Sequence, residues 1–188
     1  MNRECIVFSF VLMGILLPFT AKCQDSRIAT QPVSLQVASS ALLSIAGPAV
    51  TLTLGGAKEA GDAIDRQSDN IETRLRISSL VSNDESRAIT AKISEELVGT
   101  QLYIQLQDPN SNFQYPENKG TLKGEQLLSS VTDATLVEGI GTCWSGKEEG
   151  DGYVIKYIFR AIPKAPILKS ADITVTYTIS LVASDSGV

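Results

Sequence analysis

Apolar and polar residues alternate along most of this chain with a period of two, the spacing of a strand with one face buried and the other wet. Val33, Leu35 and Val37 alternate with Ser34, Gln36 and Ala38. Leu42-Leu43-Ser44-Ile45 follows, and after Gly47-Pro48 the run V-T-L-T-L at 50–54 alternates again. Residues 72–81 place Leu75 and Ile77 on one face and Arg74 and Arg76 on the other. Ile89, Ala91 and Ile93 share a face in 87–93, as do Leu102, Ile104 and Leu106 in 101–107. Residues 153–160 form a further run. The most regular is 172–182, where Ile173, Val175, Tyr177, Ile179 and Leu181 face away from three threonines and a serine.

The segments between these runs have a different texture. Residues 55–70 hold glycines, alanines and scattered charge and read as a long surface connection. S-N-D-E-S at 82–86 is a turn by composition. Residues 108–120 form a long loop carrying Phe113 and Tyr115. Residues 125–137 fit either a short helix or two broken strands. The stretch G-I-G-T-C-W-S-G-K-E-E-G-D-G at 139–152 has the glycines and charges of a hairpin connection with a solvent-exposed tip. Short strands with turn signals and no convincing helix predict an all-β fold, an antiparallel β-sandwich of about eight to ten strands occupying 33–188. Strict alternation favours sheets with one wet face.

The start of the chain has another character. Met1-Asn-Arg-Glu precedes an apolar run of about a dozen residues, then Pro18 and F-T-A-K-C-Q, the layout of a secretory signal peptide. The run is shorter than the about 20 residues a membrane-spanning helix needs. Residues 1–23 are therefore expected to direct export to the periplasm, cell surface or exterior, with 24–32 a flexible lead-in. Two readings of Cys23 stand: cleavage after it, with Ala21 at the −3 position, or lipidation of Cys23 as a membrane anchor.

Removal of 1–23 takes away Arg3, Lys22 and Glu4 and moves the net charge from −5 to −6. An acidic surface with no basic stripe repels phosphate backbones, which argues against nucleic acid as a partner. About 165 residues remain, enough for one core. Cys143 is then a lone thiol without a disulfide partner.

The chain contains no histidine, which removes Ser-His-Asp and Cys-His nucleophilic catalysis and histidine zinc sites. One remaining cysteine removes a Cys₄ site and a redox pair, and no phosphate-binding glycine loop is present. A non-enzymatic protein without a cofactor is expected. Two chemistries survive. Glu148, Glu149 and Asp151, or Asp62, Asp65 and Asp69, offer oxygen ligands suited to Ca²⁺, but neither run has the spacing of a calcium loop, and a solvated charged turn is the favoured reading. Trp144 and Tyr153, with Tyr157, Phe113 and Tyr115, offer aromatic area for a carbohydrate or peptide; packing across strands is the alternative.

An early V-x-L-x-V strand, P-A-V-T-L-T-L, the A-G-D tag at 60–62, R-A-I-T-A-K-I at 87–93, G-I-G at 139–141 and a terminal I-T-V-T-Y-T-I together resemble the small exported β-sandwich proteins of Gram-negative bacteria related to fimbrial, pilus-type subunits. The resemblance implies an immunoglobulin-like sandwich with a structural or adhesive surface role, and other surface or fimbrial subunits as partners. The tags mark strands and turns, so they carry no site residues across. A strand such as 33–37 would complete a neighbour's sheet by strand addition or pair within its own domain. A secreted glycan-binding module using Trp144 is the alternative function.

Overall fold

A computed structural model of the chain describes residues 31–82, 85–108 and 112–182. The chain divides into two compact units, Met1–Leu35 and Gln36–Val188, and the strands of the described residues lie in the second. The expected signal segment and the candidate lipidation site Cys23 lie outside the described residues. No helix among the described residues is long and apolar enough to cross a membrane.

Ten strands form among the described residues: β1 (Ser40–Ala46), β2 (Gln67–Leu80), β3 (Ser86–Ile93), β4 (Thr100–Gln107), β5 (Thr121–Leu122), β6 (Gln126–Leu127), β7 (Ala134–Ile140), β8 (Cys143–Trp144), β9 (Tyr153–Ala161) and β10 (Val175–Val182). One sheet runs β1-β2-β9-β4-β6, with β8 also pairing β2; the other runs β10-β3-β7-β5. All pairings are antiparallel. The two sheets pack face to face as an all-β sandwich, as the alternation predicts.

The inward positions of each strand are the apolar set of the pattern. Leu75 and Ile77 from β2, Ile104 and Leu106 from β4 and Ile155 from β9 meet Ile89 and Ala91 from β3 and Leu136 and Val137 from β7, all buried. Burying one such Leu or Ile fully is worth roughly 1.5–3 kcal/mol relative to exposure, an upper estimate because unfolded chains are already partly compact. Tyr157 of β9 and Tyr177 of β10 join the two sheets, their hydroxyls 2.7 Å apart.

Several elements differ from the sequence reading, each for a physical reason. β2 begins at Gln67, inside the expected surface connection, because 67–70 pairs with the far end of β9. Its polar side chains suit the wet face, where Asp69 meets Lys156 at 3.3 Å. A register shift between Asn70 and Thr73 joins this polar stretch to the apolar one. The ambiguous stretch 125–137 resolves into β6 and the start of β7, the broken-strand alternative. Residues 33–38 and 50–54 form no strand although both alternate, and the last strand begins at Val175 rather than at 172.

Candidate functional site

Two regions carry features that a closed sandwich does not require. The first is the side where β1 and β10 approach each other as the outer strands of their sheets. Gly47 turns the chain out of β1 at φ 119°, and a Cβ there would lie 2.8 Å from the Glu72 carbonyl oxygen, so the turn needs glycine. Residues 48–54 then run without a backbone hydrogen bond to any other described residue. Even so, Val50 and Leu52 pack against the core. β10 pairs with β3 along one edge only.

Between these segments lies a cleft of about 450 Å³, lined mainly by apolar side chains that include Val50, Leu52, Phe159, Ile173 and Val175. Thr73 also lines it; this side chain is buried, and its Oγ1 has no hydrogen-bond partner among the described residues. At 31–39 the alternating apolar residues are in water: Val33 is 72% exposed, Leu35 89% and Val37 62%. A strand-patterned segment with exposed apolar residues, an open ladder edge and an apolar cleft are the components that strand addition uses.

The second region is the return from β7 to β9. β7 runs through Gly139 to Ile140, and Cys143 and Trp144 form a short ladder with Ser79 and Ser78 of β2. The loop proper is therefore only 145–152. Ser145 extends the ladder: its N–H donates to the Ile77 carbonyl at 2.9 Å, and its Oγ accepts from the Ile77 N–H at 3.0 Å. Gly152 closes the loop at φ 104°, where a Cβ would sit 2.5 Å from the Leu75 carbonyl oxygen. Only glycine tolerates that backbone so close to β2.

The sequence-derived candidates separate here. Cys143 is fully buried, and burial, aided by the Glu117 carboxylate, pushes its thiol up to about 11. It is a free thiol held neutral. Tyr153 is also fully buried: its hydroxyl donates to the Lys119 carbonyl, its ring lies tilted against Phe113 at 5.4 Å, and burial drives its ionisation far upward. Tyr153 and Trp144 therefore do not share a surface, because residue 153 points inward on β9. Trp144 points outward, 41% exposed.

Asp151 is buried and serves the turn. Its carboxylate accepts from the Asn112 side-chain amide at 2.9 Å and from the Glu148 N–H at 2.8 Å, which hold it below the usual carboxylate range. Glu148 and Glu149 are exposed, and among the described residues no group of three or more acidic, Cys or His side chains is placed to hold a metal ion. Asp62 caps a separate turn through the Glu59 N–H, apart from Asp69 on β2.

No family model, curated protein or solved structure matches this chain. The chemistry must therefore be read from its own residues. The sequence reading put Arg74 and Arg76 on an outward face but gave no role to them or to Leu42 and Ser78; all four lie on the outward face around Trp144. The only available signal was their position opposite the inward apolar set.

Proposed function

We propose that this chain is an exported, non-enzymatic structural protein of the fimbrial-subunit type that assembles by strand addition with copies of itself or with other surface subunits. The observation that carries this reading is the exposure of Val33, Leu35 and Val37 in a strand-patterned segment that makes no ladder. Three exposed apolar side chains at a spacing of two have a use when another sheet edge supplies the backbone partner and pockets take the side chains. Support on the accepting side comes from the free edge of β10 and from 48–54, whose backbone has no partner among the described residues beside the apolar cleft.

The test is light scattering of the purified protein across a concentration series, with a synthetic peptide of residues 31–39 added in parallel. Mass that rises with concentration, or saturable binding of the peptide, is expected, and Leu35→Asp should abolish donation without shifting thermal unfolding. A protein that stays monomeric at every concentration and does not bind the peptide would sink the reading.

A further inference from the structure

We propose that the outward face of β1, β2 and β8, beside the loop 145–152, is a binding site for a neutral oligosaccharide. The register places Leu42 opposite Ser78, and Ser78 opposite Trp144, in one row across three strands. Leu42 is 72% exposed, and the inward neighbours Ser79 and Cys143 are buried, so the row faces water. Two strand spacings give it a width of roughly 10 Å, room for two sugar rings side by side.

Beyond Trp144 the row continues into the long loop, where Gln114 forms a single bridge with Trp144 and donates its N–H to the Trp144 carbonyl at 2.9 Å. The next residue, Tyr115, is 52% exposed and meets the indole edge-on, ring centroids 5.2 Å apart at 75°. Its φ of 55° lies in the left-handed region, where a bulky aromatic residue is rare and conformational energy is spent. Tyr115 also opens the 3-10 turn at 116–118, its carbonyl accepting from the Asn118 N–H at 2.9 Å, and that turn holds the half-exposed ring against the indole.

Beside the row, two residues along β2 from Ser78, Arg76 and then Arg74 line a hollow of about 540 Å³ with Glu72 and Glu149. Arg76 donates to the Glu148 carbonyl at 2.8 Å, fixing the loop as one wall. Neither arginine makes an ion pair among the described residues, and the Nε of each is buried without a hydrogen-bond partner.

The chemistry selects the ligand class. Both edges of β2 at this level are already paired, with β1 and with β8, so an extended peptide finds backbone bonds only at the outer edge of β1 and none across the row that holds Ser78 and Trp144. Two guanidinium groups beside two carboxylates make a hollow of balanced charge, which disfavours an anion. Adjacent hydroxyls, each donor and acceptor at once, suit such mixed partners, and the C–H face of a sugar ring suits exposed aromatic rings. The surface therefore fits an uncharged polyhydroxyl ring system. It adjoins the strand-addition side at Pro48, which lines both the hollow and the cleft, but it uses the outward face of the sheet and not the edge of β10.

Trp144 is the only tryptophan of the chain, so its emission reads the site directly. The purified protein is titrated with tetrasaccharides of glucose, galactose, mannose and N-acetylglucosamine, with a galacturonate tetrasaccharide as the acidic arm. A saturable emission change with at least one neutral sugar is expected. Tyr115→Asn, which keeps a residue tolerant of the left-handed state, and Arg76→Met should each weaken binding by about tenfold, judged by the loss of one charged or stacking contact, with far-ultraviolet circular dichroism unchanged. The proposal is overturned if no neutral sugar gives a saturable change, if only the galacturonate binds, or if both folded variants bind like the parent.

Discussion

The middle of the sandwich and the side bearing β1 and β10 are built from the same alternating pattern, yet they end in different states. In the middle, Leu75, Ile104 and Ile155 have no exposed surface, and every strand has a neighbour on both edges. On the open side, Val50, Leu52, Ile173 and Val175 touch the core but stay half-buried around a cleft. The backbone of 48–54 has no ladder there. Alternation tells each residue which face to show; it does not supply the second strand. Where β2, β9 and β4 lie in register, burial and hydrogen bonding reinforce each other. On the open side burial proceeds without the ladder, and the segment is held by side chains alone.

This contrast can be broken most forcefully in the core. Ile104→Ala or Ile155→Ala should cost about 2–5 kcal/mol in urea unfolding, because the surrounding sheets cannot collapse onto the void. Val50→Ala, which removes less from a half-buried site that can relax, should cost less than about 1 kcal/mol. Equal losses at the two positions would erase the distinction between the regions.

A smaller effect probes the seam between the sheets. Tyr177→Phe leaves the Tyr157 hydroxyl without its partner in a site that already pushes both phenols upward through burial. A loss of about 1–3 kcal/mol is expected, and the double variant Tyr157→Phe/Tyr177→Phe should recover most of it, since removing both partners leaves no orphaned group. A double variant as unstable as the two singles combined would show that the two hydroxyls act independently and that their mutual bond does not hold the seam.

The gentlest effect concerns the loop 145–152. The Asn112 amide and the Glu148 N–H favour the ionised carboxylate of Asp151 in the folded state. Its contribution is complete above the ordinary carboxylate pKa of about 4 and fades as pH falls through the depressed folded-state value. Asp151→Asn should therefore lower the urea midpoint at neutral pH, and the gap from the parent should close in strong acid. A gap that is constant with pH would mean that the side chain acts through shape alone.

Much of the sandwich is legible in the sequence because inward and outward residues separate cleanly; Ile89, Ala91 and Ile93 already define the β3 face. Strand pairing is not legible. Residues 50–54 alternate as well as 101–107 do, and only the three-dimensional arrangement decides which finds a neighbour. The polar start of β2 escapes detection for the opposite reason: 67–70 has no apolar face and is a strand because β9 is there to receive it. At the candidate site, Trp144 stands out by rarity, whereas Tyr153 misleads because nothing local says that residue 153 points inward. Leu42, Ser78 and Arg76 become neighbours of Trp144 through register, which joins residues far apart in the chain.

The buried thiol of Cys143 has a kinetic consequence. It sits on the two-residue ladder that ties β8 to β2, and while that ladder is closed burial keeps it both un-ionised and out of a reagent's reach. A disulfide reagent can modify it only during excursions that part β8 from its neighbour. At high reagent concentration the labelling rate stops rising and equals the rate of that parting, so this single sulfur times the opening of one seam in a molecule that is otherwise folded.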